Sequence, residues 1–89
     1  MIRKIEQFTW EGRPIVNQIV VMTDDHMFLV SYGKVVASKG IGGPILSADW
    51  DHSKTTAKYV SRFLNRSVKE IRELIADGTF SIMPELTIR

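Results

Sequence analysis

Both histidines of this chain lie in short acidic runs, Asp24-Asp25-His26 and Asp49-Trp50-Asp51-His52. A carboxylate beside an imidazole can hold a divalent cation or share a proton with a substrate. There is no cysteine, so thiolate chemistry is excluded, and any imidazole chemistry would have to use His26 or His52. Each run also has a complete structural reading. The first falls between two strongly β-like segments, where aspartate suits a turn. The second falls just before a helical period, where an aspartate can cap the free N–H groups of the first turn. The expectation is therefore no metal, no cofactor, no catalytic residues and no enzyme. Gly40-Ile41-Gly42-Gly43 lacks the spacing and the following lysine of a phosphate loop, and no Gly-x-Ser-x-Gly nucleophile turn occurs.

A different kind of chemistry is carried by residues 52–66, which contain Lys54, Lys58, Arg62 and Arg66 and no acid. Lys54, Lys58 and Arg62 recur every four residues, which places them on one face of a helix. A charged outer face is common on any surface helix. Like charges four apart nevertheless repel, at about 0.2–0.5 kcal/mol per pair, so the row is slightly unfavourable without a partner. Ser53, Thr55 and Thr56 crowd the start of the same helix. Capping uses one hydroxyl readily and three less readily, which makes the trio a candidate anion site where N–H groups and the helix dipole favour negative charge. Trp10, beside Gly12 and Pro14, is a candidate exposed contact anchor. The partner-binding set read from the sequence is thus Lys54, Lys58, Arg62, Arg66 and Trp10.

These residues need a scaffold, and the periodicity supplies one. Ile15–Thr23 is rich in β-branched residues, and Met27–Tyr32 alternates, with Phe28, Val30 and Tyr32 on one face. Arg3–Thr9, Val35–Ser38 and Pro44–Ala48 read as further strands, the last as a short edge. Trp10–Pro14 and Gly33-Lys34 read as turns, and residues 40–44 as a flexible connection. The period then changes. Tyr59, Val60, Phe63 and Leu64 form one apolar helical stripe, and Val68, Ile71, Leu74 and Ile75 form a second. Ser67 with Glu70 three residues later fits a capping box, and Gly78 stands where a left-handed cap belongs. Thr79–Met83 is β-like and stops at Pro84, leaving room for a last strand. The expected fold is α+β: an antiparallel meander of four to five strands, covered on one face by two C-terminal helices over about 53–65 and 68–77. A helix-turn-helix reading of the two helices is disfavoured by Glu70, Glu73 and Asp77 on the second one, which would repel phosphate.

Bulk properties set the limits. Eighty-nine residues suit one domain (residues 1–89) with a thin core. Apolar residues make up 44% of the chain and charged ones 25%, a globular balance rather than that of a disordered segment. No apolar run reaches the length of a membrane span, and the N-terminal residues lack the apolar stretch of a secretory signal. Net charge is +2, too small to name a partner except through its concentration in residues 52–66.

Several of these residues also form a recognisable pattern. Ser31-Tyr32, Val36-Ala37, then Trp50-x-x-Ser53-x-Thr55-Thr56-x-Lys58 and Phe63-Leu64 resemble small, mostly uncharacterised proteins of phages and prophage-like elements, over about residues 27–83. The resemblance implies a mobile-element accessory protein working in the cytoplasm of a bacterial host, as a monomer or small homo-oligomer. It supplies no activity and no catalytic residues. The partner it implies is a host protein or a protein–nucleic acid complex, including a CRISPR complex whose inhibition would protect the element. The alternative is a small nucleic-acid-binding protein using the basic helix face.

Overall fold

The computed structural model describes residues 1–88. Six strands and two helices follow in order: β1 (Ile2–Trp10), β2 (Arg13–Thr23), β3 (His26–Ser31), β4 (Lys34–Gly40), β5 (Ile45–Ser47), α1 (Lys54–Leu64), α2 (Val68–Ala76) and β6 (Ser81–Met83). The strands form one sheet in sequence order, antiparallel from β1 to β5. The fold is therefore α+β, as the periodicities indicate. Two details depart from the sequence reading. β6 runs parallel to β5, because the two helices carry the chain back across the molecule before it rejoins the sheet. That return makes β5 an internal strand and leaves the three-residue β6 at the edge.

Turn chemistry explains the hairpins. Glu11 and Gly12 both have positive φ (52° and 78°), as do Tyr32 and Gly33 (51° and 80°). Paired positive φ values mark the type I′ turn, whose twist suits a two-residue hairpin. Glycine accepts this conformation freely, while tyrosine does so at a cost. Tyr32 thus leaves the strand face shared by Phe28 and Val30 and stands exposed at the turn; its N–H donates to the Asn17 carbonyl at 2.9 Å. Trp10, read as part of a turn, is instead the last residue of β1 and pairs with Arg13.

Register separates the two faces of the sheet. Val20, Leu29, Ala37 and Leu46 form one row across β2–β5. They join Trp50, Ala57, Val60, Phe63, Ile71 and Phe80 in a single buried cluster, so this face is the one the helices cover. The next row, on the other face, runs from Ile5 through Val21 and Phe28 to Ser38 and Ile45. Val21 and Phe28 are buried, whereas Ile5 is 61% exposed.

The helix ends are fixed by side chains. Ser67 and Glu70 form the reciprocal capping box of α2. Asn65, with φ 56°, ends α1 in the left-handed region, its N–H reaching the Arg62 and Ser61 carbonyls. Ser53 caps α1, its hydroxyl accepting the Thr56 N–H at 3.1 Å. Thr56 is wholly buried, and its hydroxyl lies 3.2 Å from both Ser53 Oγ and Ser31 Oγ. This short chain of hydroxyls pins the start of α1 to β3. Thr56→Val keeps the shape and the Ser53 cap but strands the buried Ser31 hydroxyl. Leaving a buried polar group unpaired costs about 1–3 kcal/mol, and that is the expected loss in chemical denaturation. A loss of a few tenths would show that the chain of hydroxyls has no structural weight.

Candidate binding face

The two acidic–imidazole runs are engaged within the fold. Asp24 pairs with Arg3, Asp49 with Lys34, and Asp51 with Arg72 at 3.1 Å. His26 Nε2 lies 3.2 Å from the Ile41 carbonyl, and His52 Nδ1 lies 2.9 Å from that of Asp49. Among the described residues, no three of His, Cys, Asp or Glu gather where they could hold a metal ion. Lys34 holds the Asp49 carboxyl below the usual carboxylate range, through its hydrogen bond and its charge. Asp77 is lowered by hydrogen bonds from Thr79, whose N–H reaches it at 2.8 Å.

The basic row lies where the helical period places it. Thr56, Ala57, Val60 and Phe63 are the buried face of α1, and Lys54 and Lys58 are exposed opposite them. Lys54 and Lys58 border a shallow cleft of about 320 Å³ between α1 and α2, shared with Asp51, Val68 and Arg72. Arg62 is half-buried, and its surroundings are aromatic. Its guanidinium carbon lies 5.0 Å from the Trp10 ring centre and 5.5 Å from that of Tyr59. The Lys58 ammonium lies 5.2 Å from the same Tyr59 ring. These are cation–π distances, and each contact contributes about 0.5–1 kcal/mol at an exposed site. Arg66 sits beyond the helix end and pairs with Glu70 at 3.4 Å, so its charge is partly offset.

Trp10 is accordingly neither a free anchor nor a core residue. It forms a wall between two clefts. One, about 290 Å³, opens between β1 and α1 and is lined by Phe8, Val20, Met27, Lys39, Arg62 and Phe63 with the polar edge of β1. The other, about 250 Å³, is lined by Ser61, Arg62, Asn65, Arg66, Ser67 and Glu70. Thus Trp10, Lys58, Arg62 and Arg66 form one neighbourhood, while Lys54 stands at the far end of α1. The candidate anion trio separates. Thr56 is inaccessible, Ser53 is spent on the cap, and Thr55 alone is exposed.

Lys39 was not singled out by the sequence. It reaches from β4 under α1, donates to the Phe63 carbonyl at 2.8 Å and lies 4.5 Å from the Phe63 ring centre. Burial lowers its pKa. It lines the cleft between β1 and α1 together with Arg62, so that cleft carries two cationic groups beside the carboxylate of Glu6. Lys39 stands near the end of β4, between Ser38 and Gly40, one residue beyond the strand read from the sequence, where no local pattern signals it.

The residues forming this face fall inside the region, 4–78, that matches a family of unknown function, DUF8033. The chain belongs to that family. No curated protein matches this DUF8033 chain. No solved structure matches it either. None of its helices, among the described residues, is long and apolar enough to cross a membrane.

Proposed function

We propose that this DUF8033 protein is a non-enzymatic accessory protein of the phage or prophage type, which binds an anionic surface of a host macromolecule through α1 and Trp10. One observation carries the reading: the Arg62 guanidinium lies within cation–π distance of both Trp10 and Tyr59, so the basic row meets two aromatic rings beside the clefts that Arg62 and Trp10 line. Arginine and aromatic residues are the types that anchor interfaces, because they bring contact area and directed polar groups together. The phage-type pattern over residues 27–83 supports a masking role in the bacterial cytoplasm. A host-defence assembly that carries nucleic acid, such as a CRISPR complex, would present both phosphate and protein to this face.

A second reading has its own support. Alternating cations and aromatic rings beside a groove is the arrangement that binds single-stranded nucleic acid, through stacking and backbone contacts. The double variant Lys58→Gln/Arg62→Gln tests both. Glutamine keeps length and polarity while removing two charges, and it limits the packing loss that alanine would cause. The expected result is a folded variant with weaker binding. For single-stranded oligonucleotides followed by fluorescence anisotropy, the slope of log affinity against log salt should fall by up to about two. For an acidic protein partner, the loss should lie mainly in the on-rate and fade as salt rises. Unchanged binding in both assays would return the row to an ordinary solvated helix face.

A further inference from the structure

The two edges of the sheet differ sharply. β6 has three residues and is closed off by Pro84, which has no N–H to donate. β1 has nine residues, almost all exposed, and only β2 lies beside it. A long open edge strand is a template for another strand unless its side chains forbid the pairing. Charged residues usually do forbid it, and β1 carries Arg3, Lys4 and Glu6.

Here the charges are arranged to suit one particular partner. Register against β2 is regular from Lys4 to Gln7, with bulges on either side. If two β1 strands pair antiparallel about Ile5, Lys4 of each stands opposite Glu6 of the other. Both ion pairs fall on one face, and Ile5 meets Ile5 of the second copy on the other. Ile5 is 61% exposed and neighbours Ile19, also exposed, around an open surface hollow. Lys4 and Glu6 already approach to 3.3 Å within one chain, so dimerisation exchanges one such contact in each chain for two across the seam and adds the apolar contact and strand hydrogen bonds.

We propose that the β1 edge is an interaction surface for a second copy of this chain, joining two six-stranded sheets into one through a two-fold axis at Ile5. The axis of an antiparallel strand pair is perpendicular to the sheet, so both helix layers come to lie on the same side. The two clefts between β1 and α1, each with its Lys39, Arg62 and Trp10, then flank the seam. A single extended partner can engage both, and the linkage raises avidity without any new contact. Glu6 also borders the cleft between β1 and α1, but the strand pairing rests on β1 alone, so it stands even if the reading of the α1 face fails.

Charge exchange tests the register. Sedimentation or light scattering on the wild type should give the dimer mass as concentration rises into the high micromolar range. Glu6→Lys should be monomeric at the same concentrations, because four cations then face each other across the seam. Lys4→Glu/Glu6→Lys should restore the dimer, since the pairs reappear with reversed sign. Circular dichroism confirms that each variant keeps the fold, as both side chains are exposed. A wild type that stays monomeric to millimolar concentration, a Glu6→Lys variant that remains dimeric, or a double variant that stays monomeric would each overturn the proposal.

Discussion

Phe63→Ala is expected to destabilise the protein by about 3–5 kcal/mol. Phe63 is 3% exposed and belongs to the single cluster that joins α1 to the sheet. Its ring meets the edge of Phe8 at 6.4 Å and lies under the Lys39 ammonium. Truncation would therefore remove buried area, an aromatic pair and the apolar support of a desolvated lysine together. A domain this size has about 5–15 kcal/mol in total, so the variant should be at or near unfolding under mild conditions. Urea denaturation followed by tryptophan fluorescence would show it, since Trp50 is buried and Trp10 sits beside the site. A variant melting within about a degree of wild type would mean that α1 is packed on the wrong face.

The second large effect is expected at the end of β4. Gly40 has φ 144°, and a Cβ there would run into the Asp25 carbonyl oxygen and lie 2.9 Å from His26 Cα. Both obstacles are backbone, so no rotamer change relieves them. Gly40→Ala must push β3 and β4 apart where Gly40 pairs with His26 and the Ile41 N–H reaches Asp25 at 3.2 Å. Overpacking of this kind costs about 1–3 kcal/mol, and the strained φ adds to it. Gly42→Ala is the control. Gly42 also has positive φ, 89°, but nothing lies within 4 Å of its added Cβ. Its cost should be the conformational part alone, about 1–2 kcal/mol. Equal losses at the two positions in thermal melts would show that the close approach at Gly40 has no consequence.

What the sequence made legible is what depends on short range. The capping box at Ser67 and Glu70, the left-handed Gly78 and the buried stripe through Val60 and Phe63 are all set by neighbours within one or two turns. The fold class followed from the change of period after Asp51. Tyr32 was misplaced because the first position of this type I′ turn holds tyrosine rather than the usual asparagine, aspartate or glycine. β6 was expected only as a last strand, and its parallel pairing depends on where the helices return the chain.

The candidate face was half legible, for the same reason. The spacing of Lys54, Lys58 and Arg62 located the basic row. The approach of Arg62 to the Trp10 ring joins residues far apart in the chain, and no local pattern signals it. Thr56 shows the reverse error. Its hydroxyl looked surplus to the cap, but it is consumed by Ser31 of β3, a partner only the fold supplies. Lys39 gave little signal because its role is defined by the α1 carbonyl above it.

The central claim is that α1 and Trp10 form the working surface. The most direct measurement is a pull-down from lysate of the bacterial host proposed above, with and without nuclease, using the wild type beside Lys58→Gln/Arg62→Gln. The account expects a saturable partner that the wild type retains and the folded double variant loses. Survival of that partner through nuclease treatment would identify a protein surface, and its loss would identify nucleic acid. Equal recovery of the same partner by wild type and variant would contradict the claim.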